Sequence, residues 1–188
     1  MKKFDREVFN RIKDQQAYVD KVNLKKANLS NAYLVEGDFE GRNLSKANLR
    51  FAQAESIIFN RAKLRKADLR SSILQYADLY YADCTGANFS NANMTQTELH
   101  HTDLTGAKLQ DACLDGIFIP FCKGNGKEIK NIEDPIMHIT YTKDVLAIDL
   151  FQRSIEEWKT IRFNGESQIK DWWLENGSRI INLLTNAF

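Results

Sequence analysis

Two adjacent histidines, His100 and His101, three cysteines, Cys84, Cys113 and Cys122, and Ser154 are the residues of this 188-residue chain best suited by type to metal binding or nucleophilic catalysis. Their spacing assembles neither chemistry. Zinc needs Cys, His or carboxylate ligands at short, set spacings, and none makes a recognised spacing with the histidine pair. Cys113 and Cys122 lie nine apart and no CxxC occurs, so the odd cysteine count fits a reduced compartment better than a disulfide framework. Ser154 begins Ser-Ile-Glu-Glu, the S-x-x-E form in which a serine oxygen and a glutamate satisfy opposing helix-terminal amides, so it reads as a cap and not a nucleophile. P-loop, GxGxxG, HExxH and GxSxG motifs do not occur. The expectation is a protein that is no enzyme and needs no cofactor or metal.

Composition narrows the class further. At 43% apolar the chain can bury a real core, yet no 18-residue apolar run provides a membrane span. The opening Met-Lys-Lys-Phe-Asp-Arg-Glu lacks the apolar stretch of an export signal, so a cytoplasmic location is expected. Lys plus Arg number 26 against 25 Asp plus Glu, a net charge of +1, which argues neither for nucleic acid nor for an acidic mimic of it. Any electrostatic role must come from patterning.

The pattern appears when residues 22–121 are written in fives: VNLKK, ANLSN, AYLVE, GDFEG, RNLSK, ANLRF and so on to IFIPF. All twenty central residues are apolar, thirteen of them Leu and three Phe. The position two before the centre is Ala in twelve pentads, a second inward site limited to a small side chain. The position just before the centre is Asn or Asp in eleven, residues whose short polar groups bond nearby backbone and suit repeated turns. A 3.6-residue helix would smear a five-residue repeat around its circumference, and a strand needs alternation by two. A different closed geometry is required.

These pentads resemble the pentapeptide-repeat family, whose A(D/N)LXX motif is matched by Ala27-Asn28-Leu29, Ala47-Asn48-Leu49, Ala67-Asp68-Leu69, Ala77-Asp78-Leu79 and Ala87-Asn88-Phe89. The resemblance implies an all-β solenoid, a right-handed quadrilateral β-helix with four pentads per coil and about five coils. At a strand separation of about 4.8 Å the stack would stand roughly 24 Å tall. In this frame His100 and His101 take the two outward positions after Leu99, where successive residues of a tight turn diverge into a solvated face. Cys84 is an inert inward filler, and Cys113 faces outward with no base to activate it. Arg42 takes a position that wants Ala, so either its coil is distorted to release it or it reaches an acid such as Asp38 or Glu40. Ala54 and Ile57 exchange the usual large and small positions and read as compensating volumes.

Flanking segments read differently. Residues 1–21 place Phe4, Val8, Phe9, Ile12 and Tyr18 among charges, an amphipathic helical cap over the open edge of the first coil. Residues 122–135 read as a polar connector ending at Pro135, and residues 136–188 as a small α+β module like the C-terminal extension of some bacterial and phage members of the family. In that module Ile136 to Thr142 and Val145 to Asp149 are expected strands, and helices are expected from Ser154 and across Glu166 to Glu175. The apolar tail Ile180 to Phe188 is expected to bury against the last coil or, in a homodimer, against another subunit.

Residues twenty apart should stack, which makes the faces readable. Lys26, Lys46 and Lys66 form one column beside Lys25, Lys63 and Arg65, and Arg50 and Arg70 form the next beside an exposed Phe51, a basic corner in the N-terminal half. Other faces carry Glu36, Asp38, Glu40 and Glu55 low down, then Tyr76, Tyr80 and Tyr81 with the two histidines above. Charges within residues 22–121 balance at eleven basic and eleven acidic, so overall neutrality conceals a lateral dipole. The preferred function is a non-enzymatic scaffold that presents the basic corner or the tyrosine-rich face to a protein or other macromolecule. The alternative that the resemblance implies is a DNA mimic acting on DNA gyrase, against which stands the absence of a continuous acidic face.

Overall fold

Each pentad closes one turn, built the same way along the tower. The central carbonyl accepts the amide three residues on, as from Ala27 to Leu24 and from Ala67 to Leu64, both at 2.9 Å. One residue per pentad from Lys26 to Gly126, two after the centre, holds a left-handed backbone, sixteen of them non-glycine and five glycine. A positive φ at the third residue of a four-residue turn defines type II geometry. The Asn or Asp before the centre locks the turn: in all eleven cases its Oδ1 accepts the amide N–H two residues on. That is the physical reason these two residue types recur there.

The computed structural model describes residues 2–3, 21–132, 139–142, 145–148, 151–160 and 168–186. Parallel bridges join each residue just before a centre to its counterpart twenty residues on, from Asn28 with Asn48 to Asp103 with Lys123. Four pentads therefore make a coil. Bonds such as Leu29 N to Asn48 O at 2.7 Å and Asn48 N to Ala27 O at 2.9 Å zip each coil to the next. At the N-terminal end β1 (Lys2–Lys3) pairs parallel with β2 (Val22–Asn23) in the same twenty-residue register. The expected helical cap over residues 4–20 lies outside the described residues.

Inside the tower, Leu, Phe, Met and Ile ladders alternate with alanine columns, and Leu29, Leu44, Phe59, Leu64, Leu69, Leu74 and Phe89 are wholly buried. Arg42 does not distort its coil. Its amide reaches Phe39 O at 3.0 Å and its carbonyl accepts Lys63 N at 2.8 Å, while the residue is only half-buried. Ala54 and Ile57 are both buried, and Ile57 stands one coil above Gly37, where a Cβ would come 2.9 Å from the Phe39 ring. The three buried polar residues at small inward positions, Ser72, Thr97 and Thr102, donate their hydroxyls to Leu69 O, Leu74 O and Leu79 O, which satisfies groups that would otherwise be costly to bury.

The twenty-residue register and the left-handed position, though not the turn bond itself, run past Phe121, where the apolar frame ends. Cys122 fills the small inward position, Gly124 the centre and Gly126 the left-handed position. Ile129, fully buried in the same core, folds back where a Cβ on Gly124 would overlap its carbonyl. A glycine centre thus hides one more pentad from a reading based on apolar residues.

Beyond it, β3 (Lys130–Ile132), β4 (Ile139–Tyr141), β5 (Val145–Ile148) and β6 (Phe151–Ser154) form an antiparallel sheet in chain order. Strand alternation divides β5 between two cores. Ala147 joins the solenoid core, whereas Leu146 and Ile148 face a cluster with Tyr141, Trp158, Trp173, Ile180 and Leu184. The last coil's backbone is covered by this sheet: Ile119 N donates to Gln152 Oε1 at 2.7 Å, Gln152 Nε2 donates to Ile117 O, and Asn131 Nδ2 donates to Cys122 O at 2.9 Å.

Helix α1 (Ile155–Thr160) opens with the expected reciprocal cap, Ser154 N to Glu157 Oε2 at 2.8 Å and Glu157 N to Ser154 Oγ at 3.2 Å. Helix α2 (Gln168–Thr185) corrects the sequence reading, because it continues through Gly177 instead of stopping at Glu175. A Cβ on Gly177 would come 2.6 Å from the Trp173 ring, so this glycine is a notch and not a terminator. Within the apolar tail, Ile180 and Leu184 pack in one cluster with the tryptophans of their own module.

Candidate functional site: a basic corner and an aromatic column

Left-handed backbone at every corner turns the residue there outward, and the twenty-residue register lines corners up. Lys26, Lys46 and Lys66, with φ of 61°, 62° and 56°, stand in one such column and all three are exposed. Above them come Gly86, Gly106 and Gly126, so the column of long cations ends on a bare edge. Lys25, Lys63 and Arg65 are exposed beside the ladder, while Arg50 and Arg70 are half-buried on the next face.

Ion pairing divides the cations of this corner. Arg70 grips Asp68 with two bonds, Nε to Oδ1 at 2.8 Å and Nη2 to Oδ2 at 2.7 Å, and these hold the Asp68 carboxyl below the usual carboxylate range. Arg65 Nη1 reaches Asp83 Oδ2 at 3.2 Å on the coil above, a carboxylate that the sequence reading left out. Lys26, Lys46, Lys63 and Lys66 have no ion pair among the described residues. Arg50 lies over the Phe51 ring at 5.2 Å, its Nε buried without a hydrogen-bond partner, while Phe51 is 49% exposed.

The histidines correct an expectation. Far from diverging, the His100 and His101 rings stack at 4.6 Å and 12°. His101 lies between Tyr81, at 4.5 Å and 6°, and Phe121, at 4.8 Å and 13°, and Tyr80 meets His100 edge-on at 5.0 Å. The coil spacing is close to a ring-stacking distance, so aromatic residues twenty apart form a continuous column. Burial, with His101 beside it, pushes the His100 imidazole below the ordinary histidine value. A hydrogen bond to Tyr81 raises the Tyr80 phenol. Tyr76, 57% exposed, occupies the preceding corner and makes no ring contact among the described residues. Phe121 is the member the sequence reading missed, although its spacing from Tyr81 and His101 was the signal for it.

Burial pushes the thiols of Cys84 and Cys122 up. Cys113, partly exposed, lies 3.2 Å from Thr95 Oγ1 and 3.4 Å from Asp115 Oδ2. Among the described residues no group of three or more His, Cys, Asp or Glu could hold a metal ion, and no helix is long and apolar enough to cross a membrane.

No curated protein matches the sequence. Among solved structures it is similar to the pentapeptide repeat protein Rfr23 of the cyanobacterium Cyanothece, at 31% identity over 50% of this chain and 56% of that one, with a TM-score of 0.28. It is similar to HetL of the cyanobacterium Nostoc, a pentapeptide repeat protein involved in heterocyst differentiation regulation, at 28% identity over 52% of this chain and 49% of that one, TM-score 0.25. It is similar also to the plasmid-mediated fluoroquinolone resistance protein QnrB1, at 20% identity over 50% and 61% of the two chains, TM-score 0.40. The chain thus spans only about half to three fifths of these proteins' lengths. The pentapeptide repeats model matches in eight copies over residues 23–61, 59–83 and 82–117. That covers just over half of the sequence, and the chain belongs to the pentapeptide repeat family, whose members fold as right-handed quadrilateral β-helices.

Proposed function

We propose that this protein is a non-enzymatic scaffold that holds a macromolecular partner against its outer faces, with the basic corner as the docking surface and the column of Tyr80 and Tyr81 as a secondary one. The observation that carries this reading is the ladder of Lys26, Lys46 and Lys66, without an ion pair among the described residues. Unit charges about 4.8 Å apart repel by about 1 kcal/mol per neighbouring pair in water before salt and splaying reduce it. An anionic surface docking there recovers that repulsion and adds charge-assisted contacts.

Affinity capture from the source cell with the wild-type chain and with a Lys46→Glu, Arg65→Glu, Lys66→Glu variant tests it. Glu36 already occupies a left-handed corner at φ 55°, so glutamate is compatible with that backbone and folding should persist. The partner should be lost from the variant. Equal capture by both proteins would reduce the corner to a solvated face.

The DNA-mimic reading of action on gyrase requires a continuous acidic face. The most acidic column here, Asp38, Ile58, Asp78, Glu98 and Phe118, is interrupted by apolar residues. A supercoiling assay separates the two readings, since inhibition or protection of gyrase at low stoichiometry would favour the mimic.

A further inference from the structure

We propose that the basic corner takes a short stretch of single-stranded nucleic acid, with phosphates on the lysine ladder and a base against the Arg50–Phe51 pair. This rests on the basic corner being the docking surface and names the chemistry of its occupant. Three features of the corner converge on it.

First, apart from Arg50 on the Phe51 ring, the cations of the corner left without an ion pair are the lysines, which act as point charges toward phosphate, whereas Arg65 and Arg70, the fork-shaped groups suited to a partner's carboxylates, are already engaged by Asp83 and Asp68. Second, Phe51 follows Lys46 by one pentad on the same coil, at the next left-handed corner. Its ring is half in solvent with the Arg50 guanidinium 5.2 Å from its centroid. Aromatic rings and guanidinium planes are the groups on which unpaired bases stack, while a duplex keeps its bases inside. Third, the face between these corners carries polar Asn28 and Asn48, joined by a bond of 3.2 Å, and no apolar groove that would reward the side chains of an acidic peptide. Gly86, Gly106 and Gly126 continue the lysine column without a cation, which confines the footprint to the lower coils.

Fluorescence anisotropy of the full chain with a labelled ten-residue oligothymidylate tests the proposal, with an abasic oligomer of equal length, a duplex and polyglutamate as competing ligands. The wild type should bind the single strand with affinity falling by about 0.7 log unit per log unit of salt for each phosphate neutralised. Lys26→Glu, Lys46→Glu, Lys66→Glu should weaken binding more than tenfold and flatten that slope by about 2. Phe51→Ser, a residue type already tolerated at φ 55° one coil above as Ser71, should weaken binding to oligothymidylate by about fivefold or more and leave the abasic oligomer unaffected. A melting curve for each variant confirms that it is folded. Absence of binding at about 50 mM salt, an unchanged affinity in Phe51→Ser, or a duplex or polyglutamate bound as tightly as the single strand would overturn the assignment. If the oligonucleotide fails while the captured partner is still lost from the glutamate variant, the docking surface stands and only its nucleic-acid occupant falls.

Discussion

Trp173 lies so close over Gly177 that a Cβ on the glycine would stand 2.6 Å from the indole. Alanine in a helix interior ordinarily improves on glycine by about 1 kcal/mol. Here the sign should invert, because Trp173 is fixed against Trp158 at 4.7 Å and cannot retreat. Gly177→Ala should lower stability by roughly 1–3 kcal/mol, the usual cost of overpacking, read from urea denaturation followed by tryptophan fluorescence.

Leu69 is wholly buried at mid-tower with neighbours on the coils above and below. Leu69→Asp places an unpaired carboxylate inside the ladder, among the severest single changes available. The variant should unfold or lose most of its melting temperature. Retention of the wild-type melting curve would mean that the pentad register is wrong.

Sixteen non-glycine residues with positive φ are a reservoir of backbone strain, each costing on the order of 1 kcal/mol relative to glycine. Ser71→Gly, at φ 55°, should therefore raise stability by up to about 1 kcal/mol. Gly106 has φ 67° and open space where a side chain would go, so Gly106→Val isolates the backbone cost from any clash. It should destabilise by roughly 1–2 kcal/mol in the same denaturant titration.

His100 lies in the aromatic column with its basicity reduced by burial and by His101. Its folded-state value is below its unfolded one, so on acidification the unfolded chain takes up the proton first. The contribution to stability is complete above the ordinary histidine range and is lost as pH falls through it. Melting temperature should drop between about pH 7.5 and 5.5, and His100→Phe should make that slope shallower. The Asp68–Arg70 pair acts in the same direction but only through the more acidic carboxylate range, which keeps the two effects apart.

Wherever the residue types were strict, the tower was legible from sequence. The turn is reinforced by Asn or Asp before the centre, and all eleven that the sequence supplies make the turn bond, so pattern and physics coincide. Legibility failed where a side chain is replaced by something remote. Gly124 has no apolar centre to recognise because Ile129, five residues later, fills the place. Gly177 reads as a helix end until the tryptophan four residues before it is seen lying across it. The basic corner could be read from the twenty-residue spacing alone, but which of its charges are neutralised depended on Asp83, a coil away from Arg65. The histidine pair was misread because divergence of neighbours along a turn was weighed without the rings stacked above and below.

A coil that repeats its own geometry is also a template, since its upper edge offers the amides and carbonyls that another coil would use. Gly124 and the returning Ile129 interrupt that offer, and Gln152 and Asn131 bond Ile119 N and Cys122 O of the last coil. The chain thereby counts its own storeys. The distance from the lysines at its foot to the phenyl ring of Phe121 near its summit is therefore set by the number of pentads, a fixed length written in the repeat count.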